Sequence, residues 1–416
     1  MRIIKNSKEC EEPPGRTQRQ RDGEKDSLPV SPNAELFRRV FFPGIRREQW
    51  NDWKWQLAQR VSGHEELGNI MQLTEKEAGA IKNNGNSLPF AVTPYYLSVI
   101  DHEDPESPLR RSVIPRTEEM IRGPGDSVDP LSEHEDTVAP GLVHRYPDRV
   151  LFLATGFCST NCRYCTRSRL VGKNHHAGTI HHRWSEAIGY IARHREVRDV
   201  LISGGDPLTL EDRHLEGLLR DLRKIPLVEI IRIGTKVPAV MLMRITKDLT
   251  DTLKKYHPLF MSLHFIHPRE ITPETSEACA RLADAGIPLG SQTVLLKGIN
   301  DDAEVLTRLF QGLLRIRVKP YYLYQCDPVA GTSHFRTPVE KGIELLEKVR
   351  GFTSGYAVPA YVVDAPGGGG KIQLLADHIE GRQGGELLLI NYEGKEFRYP
   401  DPGGSVTSCR LTSEKS

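Results

Sequence analysis

An α/β fold is predicted: a parallel sheet with helices packed outside it, curled into a full or partial barrel, preceded by an N-terminal helical layer and followed by a short C-terminal extension. Three observations predict it. From Val150 onward, short β-branched runs alternate with helical stretches six times in succession, the pattern of a βα series. Cysteine- and glycine-bearing loops fall at the ends of several of those runs, where proteins of this build gather active-site groups. At 416 residues, 38% of them hydrophobic, the chain has room for a barrel-type domain, which often runs to about 250 residues, and for flanking layers.

Residues 1–33 are charged, polar and proline-containing. Such a composition cannot bury enough apolar surface to offset chain entropy, so a disordered tail is expected. Residues 34–149 are expected to form a mostly helical region. Between Arg46 and Val61, the residues Trp50, Trp53 and Leu57 recur at helical spacing, which predicts one amphipathic helix docked on the main body. Proline-rich turns and short helices follow, as in PYYLSVIDHEDPESP.

The barrel is expected over residues 150–371. Its strands are Val150 to Ala154, Val197 to Ser203, Val228 to Gly234, Leu259 to Phe265, Leu289 to Leu296 and Pro320 to Cys326. The helices between and after them are Trp184 to His194, Leu210 to Lys224, Lys247 to His257, Pro273 to Ala285, Asp301 to Ile316 and Pro338 to Arg350. In residues 372–416 two β-like runs, ELLLINYEG and KEFRYP, predict a closing hairpin before a final tail.

Charge and cysteine usage exclude several classes. Lys and Arg number 56 against 55 Asp and Glu, a net charge of +1, so nothing in the bulk charge calls for nucleic acid or an anionic membrane. No apolar run approaches the length of a membrane span, and the N-terminus lacks a signal-peptide core. The seven cysteines have the wrong pattern for a disulfide framework. A cytoplasmic protein is expected.

Cys158, Cys162 and Cys165, in LATGFCSTNCRYCTRSRL, have a C-x3-C-x2-C spacing just past the first strand. Three thiolates suit a four-iron cluster that keeps one iron open for a substrate or cofactor, whereas an electron-transfer ferredoxin would use four. Unrelated core thiols and a single zinc with His175 or His176 are the rival readings. Ser203-Gly204-Gly205-Asp206 follows the second strand; glycines there let backbone approach a ligand, or simply make a tight turn. Asp364-Ala365-Pro366-Gly367-Gly368-Gly369-Gly370-Lys371 is an amide-rich loop ending in a lysine. It is not a P-loop, because Ala365 takes the first glycine position and Ile372 replaces the hydroxyl residue. A lysine can tether pyridoxal 5'-phosphate (PLP) as a Schiff base, and Lys371 is a candidate for that role.

The cysteine triplet, with Tyr164 before its third member, resembles the signature of the radical S-adenosylmethionine (SAM) enzymes. Followed by PGGGGK, it resembles the lysine 2,3-aminomutase family in particular. The likeness runs from about Trp50 to Lys371 through HEDTVAPGLVHRYPDRV, CSTNCRYCTRSR, LISGGDPL, DAGIPLGSQTVLLKGIND, YYLYQCD, FRTPVEKGIE and VVDAPGGGGK. The resemblance implies a partial (β/α)6 radical SAM barrel, in agreement with the six units counted above. It implies a [4Fe-4S] cluster on Cys158, Cys162 and Cys165, and SAM held by Ser203, Gly204, Gly205 and Asp206, by Gln292 and near Tyr164. It implies PLP on Lys371 with Arg145 and Arg149 nearby, and a substrate carboxylate on Arg167.

The implied isomerase cleaves SAM to a 5'-deoxyadenosyl radical that takes a hydrogen from C3 of a PLP-bound amino acid, and the amino group moves from C2 to C3. Asp327 and Asp364 match the family's positions for a distant ammonium, and two anions favour a cationic substrate over an anionic one. L-lysine is therefore expected, giving L-β-lysine. A 2,3-aminomutase for arginine or glutamate, and a radical SAM enzyme acting on a protein lysine, are the alternatives. The resemblance further implies an electron donor such as flavodoxin or ferredoxin, and a homo-oligomer. One departure stands out: the Cys-rich zinc-binding tail of some relatives is reduced here to Cys409.

Overall fold

The computed structural model describes residues 30–82, 88–172, 180–383, 386–391 and 393–400. The cysteines Cys10 and Cys409, the histidines His175 and His176, and most of the expected N-terminal tail lie outside the described residues.

Among the described residues seven short helices form the N-terminal layer: α1 (Pro32–Phe41), α2 (Arg47–Trp50), α3 (Trp53–Ala58), α4 (His64–Gly68), α5 (Glu75–Lys82), α6 (Pro94–Val99) and α7 (Pro108–Val113). Helix α1 begins inside the expected tail, because Ser31 caps its first turn by accepting from Ala34 N and Pro32 supplies a preset φ. The single helix expected over Arg46–Val61 is two. Asp52 accepts from Lys54 N and starts α3 afresh, since a short acceptor competes with helix continuation and favours a cap. Gln56, not an apolar residue, is the fully buried member of α3, bonded to Trp50 O and Tyr95 N at 2.9 Å each. Trp50 packs with Phe37, Phe42 and Trp55, with ring centroids 5.8–6.2 Å away. Arg110 and Glu77 form a pair inaccessible to solvent that locks α5 to α7.

The barrel sheet has ten strands in sequential order: β1 (Thr137–Ala139), β2 (Leu142–Tyr146), β3 (Arg149–Thr155), β4 (Asp199–Gly204), β5 (Ile230–Thr235), β6 (Leu259–His264), β7 (Leu289–Leu295), β8 (Lys319–Gln325), β9 (Ala360–Ala365) and β10 (Gly370–Gln373). Strands β3 to β9 are parallel. The crossover helices are α8 (Ile180–Arg193), α9 (Asp212–Arg223), α10 (Val237–Val240) with α11 (Lys247–Leu253), α12 (Pro273–Asp284), α13 (Ala303–Arg315) and α14 (Val339–Val349). Six βα units are present, as expected. Each new strand adds beside the last, so the sheet curls in one direction, and among the described residues no pairing joins β1 to β10: the barrel is partial.

Packing explains the layering. Leu215, Leu218, Leu219 and Leu222 of α9 and Leu306, Leu309, Phe310 and Leu313 of α13 fall on one face at helical spacing and are buried against the sheet. Asp302 caps α13 by accepting from Glu304 N and Val305 N.

Three features differ from the sequence expectation. The hairpin β1–β2 lies in the region expected to be helical and extends the sheet ahead of Val150. A seventh parallel strand, β9, follows α14 and turns back into antiparallel β10. The C-terminal hairpin, β12 (Glu386–Ile390) with β13 (Glu396–Pro400), gains a third strand, β11 (Ile379–Gln383).

Candidate active site

The cysteines occupy the loop that leaves β3. Thr155 turns the chain out of the strand by accepting from Phe157 N at 3.1 Å, and turns from Cys165 N to Cys162 O and Ser168 N to Cys165 O wind the loop on itself. The N-terminal layer clamps it from outside. Asn161 N donates to Ala91 O at 2.9 Å and Arg163 N to Ser112 O at 2.8 Å, Arg60 donates to Cys158 O at 2.7 Å, and the buried Arg163 guanidinium pairs with Glu119 and reaches Leu88 O and Pro89 O. Burial pushes all three thiols upward, Cys165 to about 11; the charge of an ionised neighbouring cysteine adds to the shift at Cys158 and Cys165, while the Lys236 charge opposes it at Cys162. Thiolates crowded in this way are what a cationic metal centre relieves. The zinc reading turns on His175 or His176, which lie outside the described residues.

A cavity of about 140 Å³ is lined by the three cysteines, Tyr164, Ser203, Gly204, Gly205 and Asp206, together with Lys236 and His264. The glycine pair is required here by the protein itself. Gly204 adopts φ +114°, and a Cβ on either glycine would lie less than 3.0 Å from a carbonyl oxygen of the cysteine loop, Thr155 O or Phe157 O. Gly205 N and Asp206 N donate to those same two carbonyls, at 2.6 and 2.8 Å. Asp206 spends its carboxylate on protein, accepting from Leu208 N, Thr235 Oγ1 and Lys236 N at 2.7–3.1 Å. It thereby fixes the loops after β4 and β5. Lys236 is tied to buried Glu270 at 2.6 Å. Tyr164 is buried edge-on to Phe335.

A second cavity, about 440 Å³, is lined by Glu133, Arg145, Tyr146, Arg149, Arg167, Gln292, Tyr324, Asp364 and Lys371 among others. The β9–β10 hairpin sets Lys371 opposite Asp364 in register, and Lys371 Nζ meets the carboxylate at 2.8 Å. The glycine run makes the turn possible: Gly367, Gly368 and Gly370 have φ of +70°, +83° and +76°, values that cost other residues strain. Tyr146 Oη accepts from Lys371 N at 2.9 Å. Arg145 pairs with Asp136 at 2.6 Å and reaches Leu131 O, and Arg149 lies 3.9 Å over the Tyr146 ring. Gln292 touches His264 and accepts from Tyr321 Oη. Burial, with the Lys236 charge, depresses His264 to about 3, so its imidazole is neutral.

Arg167 borders both cavities. Asp327 reaches the site through Thr166, whose hydroxyl donates to its Oδ2 at 2.6 Å. Its Oδ1 is buried without a hydrogen-bond partner among the described residues. Burial raises this carboxyl to about 6; the Thr166 bond opposes that and the neighbouring Asp364 charge reinforces it. The cysteine loop, the Ser203–Asp206 turn, Arg167, Asp327 and the Asp364–Lys371 hairpin thus gather at the C-terminal ends of the parallel strands, whereas Arg149 opens β3 at its N-terminal end, Arg145 stands on antiparallel β2 and Gln292 lies midway along β7. Sequence reasoning missed Glu133, Tyr146, Lys236, His264 and Tyr324, none of which stands in a spacing pattern of its own.

A parallel sheet with three cysteines after its first parallel strand and a glycine pair packed on them after the second defines a radical SAM enzyme, and residues 152–310 match the model described as the radical SAM superfamily. Membership implies a [4Fe-4S] cluster and SAM. Residues 346–413 match the model described as lysine-2,3-aminomutase. The chain is 49% identical over 370 residues to the L-lysine 2,3-aminomutase of Fusobacterium nucleatum subsp. nucleatum, covering 89% of this chain and 87% of that protein. It is 48% identical over 368 residues to the L-lysine 2,3-aminomutase of Clostridium subterminale, covering 88% of each. To the glutamate 2,3-aminomutase of Clostridioides difficile it is 44% identical over 356 residues, covering 85% of this chain and 83% of that protein. The chain belongs to the lysine 2,3-aminomutase family of isomerases. No helix among the described residues is long and apolar enough to cross a membrane.

Proposed function

We propose that this enzyme moves the α-amino group of L-lysine from C2 to C3, giving L-β-lysine, with a cluster, SAM and PLP as cofactors. The observation that carries the reading is the pair of adjoining cavities, one lined by the cysteines and the other by Lys371 and Asp364, with Arg167 on the border of both. Bound there, cluster and SAM supply a carbon radical able to abstract hydrogen, and PLP supplies a π-system over which the migrating nitrogen can pass.

The chain's own residues do the rest. Cys158, Cys162 and Cys165 hold the iron, and the Gly204–Gly205 backbone with Ser203 borders the SAM side. Lys371 holds PLP at the mouth of the hairpin, with the fixed guanidinium of Arg145 and Arg149 available to its anionic groups. The cavity volume lies within the range of about 300–1,000 Å³ typical of small-molecule sites. Arg167 takes the amino-acid carboxylate. Asp364 now faces the Lys371 ammonium; once that lysine is engaged by the cofactor, its carboxylate is left to receive another cation. Asp327, with an orphaned Oδ1, offers a second acceptor. Two acids that pair with no arginine among the described residues suit the ε-ammonium of lysine and repel the side-chain carboxylate of glutamate. A reduced flavodoxin or ferredoxin as electron donor and a cytoplasmic homo-oligomer belong to the same reading.

The test is anaerobic reconstitution with iron, sulfide, PLP, SAM and a reductant, then separate incubation with L-lysine and L-glutamate and chiral analysis of the amino acids. β-Lysine from lysine is expected. Product from glutamate but none from lysine would overturn the substrate assignment while leaving the aminomutase chemistry intact.

A further inference from the structure

We infer that Glu133 is the positioning residue that aims Arg167 at the amino-acid carboxylate. The inference rests on the reading above that Arg167 binds that group.

Glu133 belongs to a segment, residues 127–136, that is bonded to three parts of the site. Ser127 N donates to Pro328 O at 2.9 Å, beside Asp327. Gly367 N, in the glycine turn, donates to Pro130 O at 3.1 Å. Asp136 holds Arg145. Glu133 is 3% exposed, and its carboxylate takes Arg167 side-on, Nε at 3.0 Å and Nη2 at 2.7 Å from Oε1. Its second oxygen accepts from Arg169 Nη2 at 2.8 Å, and Arg169 in turn stands 3.1 Å from Asp129. Glu133 is therefore itself pinned, and cannot follow Arg167 if that side chain swings. Burial alone would raise its pKa, but the Arg167 and Arg169 charges override it and hold the carboxyl at about 2.

The side-on grip consumes Nε and one face of Nη2. Among the described residues Nη1 of Arg167 has no partner, and the side chain borders both cavities. An arginine in a cavity would otherwise lose rotamer freedom when it clamps a ligand. Here that ordering is done in advance by the fold, and the donor edge is left for the planar two-point contact that a carboxylate offers.

The experiment is spectroscopic titration of PLP-loaded, iron-reconstituted enzyme with L-lysine in the absence of SAM, together with KM and kcat in its presence. It compares wild type, Glu133→Gln, Glu133→Asp, Arg167→Ala and the Glu133→Gln/Arg167→Ala double variant. Glu133→Gln is expected to weaken lysine binding about three- to tenfold, the span corresponding to one side chain left unordered. KM should rise by the same factor with kcat little changed, iron and PLP content should match wild type, and Glu133→Asp should recover part of the loss. On the Arg167→Ala background the Glu133 substitution should have no further effect.

Unchanged lysine binding in Glu133→Gln would overturn the proposal. So would a full additional loss on the Arg167→Ala background, or a loss of PLP and iron in both Glu133 variants, which would make the residue structural only. If wild type itself binds no lysine, the functional reading has failed and this inference falls with it; that outcome is read on wild type alone, so the two failures are told apart.

Discussion

Replacing Gly204 with alanine should uncouple the SAM-side cavity from the fold. Two effects act at this position. Its φ of +114° lies where L side chains are strained, at a cost of about 1–3 kcal/mol. The added Cβ would also sit less than 3.0 Å from Thr155 O, a backbone atom that can yield only by giving up its bond from Gly205 N, and overpacking of that kind costs about 1–3 kcal/mol more. A total of about 2–6 kcal/mol is comparable with the whole stability of a domain, about 5–15 kcal/mol, yet the strain can be relieved locally. Breaking the Gly205 N to Thr155 O and Asp206 N to Phe157 O bonds lets the cysteine loop move away from β4. The chain should therefore keep its far-ultraviolet circular dichroism but lose most of its capacity to take up iron and sulfide on anaerobic reconstitution, and its thermal midpoint should fall. Gly217→Ala in α9 is the control: its nearest neighbour is a flexible arginine tip at 3.8 Å, and a helix-interior alanine should be neutral or better by about 0.5–1 kcal/mol. Full iron uptake with an unchanged midpoint in Gly204→Ala would refute the reasoning.

Two further predictions concern charge. Glu119→Gln strips the partner from Arg163, whose side chain is 1% exposed, and should cost about 3–5 kcal/mol, as breaking a buried pair does; chemical denaturation and iron content check this, with Glu118→Gln, a half-buried acid paired to the exposed Lys76, as the comparison expected to stay within about 1 kcal/mol. Asp327 titrates near 6 rather than at its ordinary 3.8. A carboxyl whose folded value lies above its unfolded one favours folding when protonated, so that contribution is present below about 4 and is lost as pH climbs through about 6. Binding of L-lysine, which needs the ionised form, should strengthen over the same interval. Asp327→Asn should flatten both profiles in denaturation and titration series, and unaltered profiles in that variant would remove Asp327 from the account.

The parts of the fold legible in the sequence are those with local signatures. The six strands from Val150 onward end within about two residues of their expected limits, because β-branched and aromatic residues recur along them between turn residues, with buried positions alternating along several of them. The N-terminal layer was harder. Trp50, Trp53 and Leu57 have the right spacing for one helix, but Asp52 offers a better cap than a mid-helix residue, and that preference decided the geometry. The β1–β2 hairpin was hidden because LVHRY is short and carries His144 and Arg145 side by side, which breaks any alternation. Strand β9 was overshadowed by the glycine turn that follows it.

The site divides in the same way. Cysteine spacing and the PGGGGK turn are short-range patterns, and they came through. The Glu133–Arg167 contact joins residues 34 apart, and no spacing rule links an acid in SEHED to an arginine beyond a cysteine loop. The glycine pair was read as a place where a ligand approaches; its first duty is to admit the cysteine-loop backbone.

The central claim is that the cysteine-lined and lysine-lined cavities work as one site, passing a hydrogen from C3 of the amino acid to the SAM side. L-Lysine deuterated at C3, turned over by the reconstituted enzyme under anaerobic conditions, tests it most directly. The account predicts β-lysine together with deuterium at the 5' carbon of the SAM-derived nucleoside, both lost in Lys371→Ala. β-Lysine formed with no deuterium reaching the nucleoside would contradict it.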